Sequence, residues 1–138
     1  MNIQSAKEYI KSITATNKEK SKKFGEVFTP FELIEEMLDQ LPVEVRTDSN
    51  KTRLDPAAGY GNFHLIVLER LMTGLSEIEP NEAKRLEHII TKQLYFCELQ
   101  ETSCAVIESL FNPDKKYKLN LFCGSFLSAE FDEWRESL

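Results

Sequence analysis

An aspartate and two glycines, close together in the sequence, form the segment best suited to holding a ligand. Asp55 opens the run Asp-Pro-Ala-Ala-Gly-Tyr-Gly-Asn-Phe, which places Gly59 and Gly61 just before a helix-forming stretch. Glycines permit positive φ and close approach to the backbone, and the free amides at a helix start attract negative groups. We therefore expect an anionic or polar ligand here. A purely structural turn between a strand and a helix is the alternative interpretation.

The spacing of this turn differs from that of two common nucleotide-binding motifs. It has no third glycine in the register of the dinucleotide fingerprint, and it has no Gly-Lys-Ser/Thr sequence. Nucleoside triphosphate chemistry is therefore disfavoured.

The glycine turn resembles the cofactor motif of the adenine-specific DNA methyltransferases of restriction-modification type, which reads like DPAxGxGNF. A second segment, GEVFTP from Gly25 to Pro30, is similar to that family's upstream cofactor segment. The resemblance covers residues 24–128. It implies that this chain is the N-terminal cofactor-binding portion of such an enzyme, with S-adenosylmethionine as cofactor and DNA methylation as its activity.

The same resemblance implies roles for individual residues. Around the methionine end of the cofactor it places Phe28, Thr29, Pro30, Asp55, Pro56, Ala57, Gly59, Gly61 and Asn62. Glu98, at the end of an apolar run, would accept hydrogen bonds from the ribose hydroxyls, although a solvated strand-end glutamate is the alternative. Ser125 stands where the family has aspartate, so it would accept from the adenine amino group more weakly. Phe126 would pack on the adenine ring.

Two further residues depart from the family pattern. Tyr60 and His64 occupy positions where threonine or small or apolar residues are more usual. Both could alter the rim of the cofactor pocket.

The segment that would perform methyl transfer is not found in this sequence. The family uses an [N/D/S]-P-P-[Y/F/W] loop, whose polar residue accepts from the adenine amino group and whose aromatic ring stacks on the flipped base. Residues 112–117 (NPDKKY) lack the second proline and are interpreted as a turn. We therefore expect no catalytic residues and no activity from this chain alone. It is either a fragment of a site-specific methyltransferase or a short cofactor-binding or regulatory module that pairs with a separate catalytic subunit.

The elements that position these residues are predicted from apolar spacing and turn signals. The predicted helices cover residues 3–14, 31–41, 62–74, a stretch after 80–81, and 101–111, and the predicted strands cover 52–55, 93–98 and 119–123. The segments that connect the predicted strands are long enough to cross over the sheet, so we expect parallel strands. The predicted fold is therefore α/β, half of a doubly wound, Rossmann-like sheet. We expect an N-terminal helix and polar loop over residues 1–23 and the cofactor-binding half over 24–138.

The helix after residue 30 has the clearest start signal. Thr29 is predicted to supply a capping hydroxyl, Pro30 the first helical position and Glu32 the acidic residue of a capping box. The apolar face predicted for this helix consists of Leu33, Ile34, Met37, Leu38 and Leu41.

The charge distribution does not by itself predict DNA binding. The net charge is -6, and residues 1–30 carry six lysines against three glutamates, so the remainder carries -9. We expect DNA contacts from a missing C-terminal portion or a partner subunit. Three strands would leave the first strand with an uncovered edge, open to a second copy or another subunit.

Cysteine and histidine usage predicts no metal site. The three cysteines include no C-x-x-C pair, the two histidines are far apart, and we expect buried reduced thiols. No apolar run suits a membrane span or a secretory signal, so we expect a cytoplasmic protein.

Overall fold

The computed structural model describes residues 1–17 and 28–138. Most of the predicted polar loop, and residues 25–27 of the upstream cofactor segment, lie outside the described residues. The helices are α1 (Ile3–Thr16), α2 (Phe31–Asp39), α3 (Glu44–Thr47), α4 (Asn62–Gly74), α5 (Glu82–His88), which a π-helical turn (Ile89–Gln93) continues, α6 (Glu101–Phe111) and α7 (Ala129–Glu136). The strands are β1 (Arg53–Asp55), β2 (Leu94–Glu98) and β3 (Leu121–Cys123).

The three strands form one parallel sheet in the order β1-β2-β3. Asp55 pairs with Phe96, and Glu98 pairs with Cys123, so the carboxyl ends of all three strands meet at one edge. This confirms an α/β fold with a small parallel sheet, which is compatible with part of a Rossmann-like fold. Two short helices, α3 and α7, were not predicted from the sequence.

The core is organised around α4, the helix predicted to be apolar almost all round. Leu65, Ile66 and Leu68 are completely buried. The helix contacts α1, α2 and α3 as well as α5, so neighbouring helices cover much of its surface. A helix with only one apolar face would have placed polar side chains in some of these contacts.

Ion pairs of two largely buried cationic side chains connect α4 to the N-terminal helices. Arg70 donates to the Glu35 carboxylate at 2.9 Å and to the Asp39 carboxylate at 2.7 Å. Lys7 on α1 lies 3.2 Å from Glu69. These contacts hold α1 and α2 in place beside the glycine turn that α4 follows.

The predicted start and face of α2 are partly wrong. The residue that caps the helix is Pro30, and no described side chain donates or accepts a cap hydrogen bond there. Of the predicted apolar face only Ile34 is fully buried, while Leu33, Met37 and Leu41 are 46%, 48% and 48% exposed. The reason is that α4 packs against the side of α2 that carries Ile34, and Leu33, Met37 and Leu41 lie away from that contact.

The expectation of three reduced cysteines is wrong for two of them. Cys104 on α6 and Cys123 at the end of β3 form a disulfide, with their Cα atoms 6.2 Å apart. The chain reversal between α6 and β3 brings these residues together, which the sequence spacing alone did not indicate. Cys97 is a free, buried thiol as predicted, and its burial raises its pKa.

Candidate functional site

The turn after β1 has the backbone conformation that its glycines suggested. Gly59 has φ +58° and Gly61, which caps the start of α4, has φ +89°. The Asp55 carboxylate accepts from the amide of Ala57 at 3.1 Å, and the amide of Ala58 donates to the carbonyl of Cys97 at 3.0 Å. The turn is therefore tied both to its own strand and to β2.

The two glycines meet different surroundings. A Cβ atom on Gly61 would lie 2.7 Å from Cε2 of Phe111, a completely packed ring. A Cβ atom on Gly59 would meet no described atom within 4 Å. Gly61 is thus required for core packing, whereas Gly59 presents its backbone to open space.

Glu98 is fixed by backbone amides at the end of β2. One carboxylate oxygen accepts from the amide of Gly59 at 2.9 Å, and the other accepts from the amide of Gln100 at 2.8 Å. Glu98 is only 9% exposed, so its interpretation as a solvated strand-end glutamate is wrong. Each carboxylate oxygen has a second lone pair, so the group can accept further hydrogen bonds while it holds the turn.

The turn and the segment before α2 line one hollow, which we call the inner hollow. Its volume is about 100 Å³. The lining residues are Phe28, Thr29, Asp55, Ala57, Ala58, Gly59, Tyr60, Asn62 and Phe63. The two segments that the sequence singled out separately are therefore neighbours in space.

Contacts between these two segments shape the wall of the inner hollow. The ring of Phe28 stacks on Tyr60 with centroids 4.9 Å apart and an interplanar angle of 14°. The side-chain amide of Asn62 donates to the carbonyl of Thr29 at 3.1 Å. Its other end, Oδ1, is buried without a hydrogen-bond partner in the described part of the chain. A buried acceptor of this kind favours a ligand that carries a donor.

His64 lies elsewhere than the sequence suggested. It is 4% exposed, and its Nε2 hydrogen-bonds the carbonyl of Tyr95 at 2.9 Å while its ring meets Phe96 edge-on. Burial lowers the pKa of His64, although the nearby Asp55 carboxylate acts in the opposite direction. His64 instead borders a second hollow, which we call the outer hollow, so only Tyr60 of these two unusual residues contributes to the inner hollow. The outer hollow has a volume of about 290 Å³, and its apolar lining comes from Leu38, Leu41, Val45, Leu54, Phe63 and Val67.

The remaining predicted residues fall into two groups. Pro30 and Pro56 do not line the inner hollow, because Pro30 caps α2 and Pro56 borders the outer hollow. Ser125 and Phe126 follow β3 at the same edge of the sheet as Glu98. Ser125 Oγ accepts from the amide of Leu127 at 3.2 Å, and the half-exposed ring of Phe126 meets Phe131 edge-on.

One candidate residue at this edge, Leu99, was not predicted from the sequence. Leu99 is 69% exposed directly after the Glu98 carboxylate. The sequence signal that could have identified it is its apolar side chain directly after the carboxylate predicted to hold the ribose. Together with the half-exposed Phe126, it leaves apolar surface beyond the carboxyl ends of β2 and β3.

The described part of the chain has neither a cluster of metal-ligating side chains nor a helix that could span a membrane. Nowhere in residues 1–17 and 28–138 do three or more His, Cys, Asp or Glu side chains form a group able to hold a metal ion. None of the helices described has the length and apolarity needed to cross a membrane.

The fold and the site define an α/β protein with a small hollow at the carboxyl edge of a parallel sheet. No protein-family model matches the chain. It is similar to a Mycoplasma pneumoniae protein described as an uncharacterized adenine-specific methylase, with 38% identity over 90 residues. The match covers 62% of this chain and 21% of that protein, so the chain spans about a fifth of its relative's length. This similarity supports a relationship to methylases.

Proposed function

We propose that this chain is the cofactor-binding part of a DNA adenine methyltransferase and that S-adenosylmethionine binds at the inner hollow. The observation that carries the proposal is the convergence of the Phe28–Thr29 segment and the Asp55–Asn62 turn on one hollow, with Glu98 buried beside the turn. The similarity to an uncharacterized adenine-specific methylase supports the methylase part of this proposal.

The size of the inner hollow suits only one part of the proposed cofactor. At about 100 Å³ it is smaller than the roughly 300–1,000 Å³ of pockets that enclose whole ligands. It therefore takes the methionine end, while the nucleoside lies across the carboxyl ends of β2 and β3. Leu99 and Phe126 offer the adenine ring an apolar surface there.

The charges and hydrogen-bonding groups suit this orientation. The Asp55 carboxylate lines the hollow and attracts the ammonium group of the methionine moiety. Asn62 also lines the hollow, and a donor on the ligand would satisfy its Oδ1, which is buried and has no partner among the described residues. The Glu98 carboxylate accepts from the ribose hydroxyls with its remaining lone pairs.

The chemistry of methyl transfer requires more than this chain supplies. When bound, S-adenosylmethionine provides an activated methyl group, and the residues described above hold and orient it. We propose that other parts of the enzyme supply the loop that presents the adenine amino group and the contacts to DNA. The proposed enzyme acts in restriction-modification. This chain's own contribution is to bind the cofactor.

Calorimetric titration with S-adenosylmethionine and S-adenosylhomocysteine tests the proposal. Saturable binding of both is expected. Asp55→Asn, which removes the charge and keeps the shape, should weaken binding at least tenfold. Asp114→Asn, a matched change at an exposed carboxylate before β3, should leave it unchanged. No heat at millimolar ligand, in a sample shown by circular dichroism to be folded, would contradict the proposal.

A further inference from the structure

Three aromatic side chains line the inner hollow. They are Phe28 from the segment before α2, Tyr60 from the glycine turn and Phe63 from the first turn of α4. The rings of Phe28 and Tyr60 stack on each other, with centroids 4.9 Å apart and an interplanar angle of 14°. The two segments that form the hollow therefore meet through a pair of nearly parallel rings.

The structure holds both rings of this pair in place. Tyr60 is 6% exposed and belongs to the hydrophobic core, and Phe28 is partly buried against that core. The hydroxyl oxygen of Tyr60 accepts from the side-chain amide of Asn17, at the end of α1, at 3.4 Å. The ring of Tyr60 is thus fixed at its backbone end by the turn and at its hydroxyl end by α1.

The charges around the hollow leave one group of the proposed ligand without an anionic partner. Among the described residues that line the inner hollow, Asp55 alone carries a formal charge. The methionine end of S-adenosylmethionine carries an ammonium, a carboxylate and a sulfonium group, and Asp55 can pair with the ammonium. The faces of aromatic rings are the negative ends of their quadrupoles and attract cations. The stacked rings are therefore suited to the sulfonium.

We propose that the stacked pair of Phe28 and Tyr60 selects the charged sulfonium cofactor over its neutral thioether product. This proposal rests on the proposed function, because it assigns a specificity to the same hollow. The ring faces attract the sulfonium of S-adenosylmethionine, whereas the neutral sulfur of S-adenosylhomocysteine gains less from them. The product that remains after methyl transfer is therefore released more easily than the cofactor.

The contribution of the rings can be separated from that of Asp55. The Asp55 carboxylate attracts any cation in the hollow, so a preference for S-adenosylmethionine does not by itself identify the rings. Replacing a ring by leucine keeps apolar bulk and removes the quadrupole. Tyr60→Phe keeps the ring and removes only the hydroxyl. Asp55 stays in place in all of these variants.

Calorimetric titration of the whole chain with S-adenosylmethionine and S-adenosylhomocysteine measures the ratio of the two affinities. Tyr60→Leu and Phe28→Leu should each lower the preference for the charged cofactor by about three- to thirtyfold, as expected for a cation–π contact. Tyr60→Phe should retain the preference. Tyr9→Leu, a matched change at an exposed tyrosine outside the inner hollow, should also leave it unchanged. Circular dichroism checks the fold of each variant, and Phe28→Leu, at the less buried position, carries the test if Tyr60→Leu does not fold.

Three results would overturn the selection proposal. These are a parent chain that binds both ligands equally, folded leucine variants that lose the same factor in both affinities, and a Tyr60→Phe variant that loses the preference as fully as Tyr60→Leu. Each of them leaves the proposed function intact, because the cofactor still binds. Failure of the folded parent chain to bind either ligand would instead refute the proposed function, and the selection proposal with it.

Discussion

The two hollows that border β1 differ in almost every physical respect. The inner hollow is small and lies at the end of the strand, where Glu98 and the turn amides hold its wall in place. The outer hollow is about three times larger, mainly apolar, and lies along a strand edge without a described neighbour. One short strand therefore borders two kinds of surface, a polar hollow at its carboxyl end and a larger apolar hollow along the edge that has no described neighbour.

The largest effect on stability is expected at Gly61, where the turn before α4 packs against the core. Gly61→Ala places a Cβ atom 2.7 Å from Phe111 at a φ of +89°. We expect the free energy of unfolding to fall by about 2–4 kcal/mol, since overpacking and left-handed strain add together. Gly59→Ala serves as the matched variant, and it should cost only about 1–2 kcal/mol because its Cβ meets open space. Urea denaturation of both measures the difference, and equal losses would show that the two glycines have the same role.

The next effect concerns the carboxylate that connects β2 to the turn. In Glu98→Gln only the side-chain oxygen can accept a hydrogen bond. One of the two backbone amides therefore loses its acceptor, and the other loses a charged acceptor. The free energy of unfolding should fall by about 1.5–3 kcal/mol, and binding of S-adenosylmethionine should weaken at least tenfold. Glu101→Gln, an exposed glutamate in the first turn of α6, is the control for both measurements. Unchanged affinity in a folded Glu98→Gln variant would remove Glu98 from the proposed site.

A smaller effect follows from burial of His64 beside the outer hollow. Burial lowers its pKa in the folded protein, with Asp55 opposing and Arg53 reinforcing the shift. The unfolded chain therefore binds the proton more readily, and folding should lose about 1.4 kcal/mol per pH unit below the unfolded value of about 6.5. Denaturation at pH 7.5 and 5.5 should show this loss in the parent chain and a reduced loss in His64→Gln. His88→Gln is the control, and an identical loss in His64→Gln would mean that His64 is not the group responsible.

The smallest effect separates the two hollows directly. Leu54→Lys changes the outer edge of β1 at a half-exposed position that does not line the inner hollow, so we expect the affinity for S-adenosylmethionine to be unchanged. Calorimetry on this variant and on Ile78→Lys, a matched change at an exposed residue outside both hollows, measures the change. A tenfold loss of affinity in Leu54→Lys alone would show that the inner and outer hollows are coupled through β1.

Local sequence signals predicted much of the fold. The helices beginning at residues 62 and 101 start where apolar spacing and turn residues placed them, and the three strands lie within the predicted ranges and run parallel. Such elements are predictable because turn chemistry and side-chain periodicity act over a few neighbouring residues. The α2 helix shows the limit of this reasoning. Its predicted apolar face is mostly exposed, because burial depends on which other elements reach it.

The candidate site was predictable to a similar extent. The motif-bearing segments around Thr29 and Gly59 were identified in the sequence, and the structure brings them to one hollow. The position of His64 was not predicted, because a residue two places after a turn can face either the ligand or the sheet. The bond between Cys104 and Cys123 was not predicted either, since their proximity depends on how α6 packs beside β3.

The sequence by itself determined where the backbone turns, which residues permit positive φ, and the succession of helices and strands. Only the tertiary structure decided that Gly61 faces a core ring while Gly59 faces open space, that Glu98 is buried against the turn, and that an apolar hollow accompanies the free edge of β1. The physical reason is range. Backbone preferences act between neighbours in the chain, whereas burial, hydrogen-bond pairing and hollows arise from contacts between residues that the sequence keeps far apart.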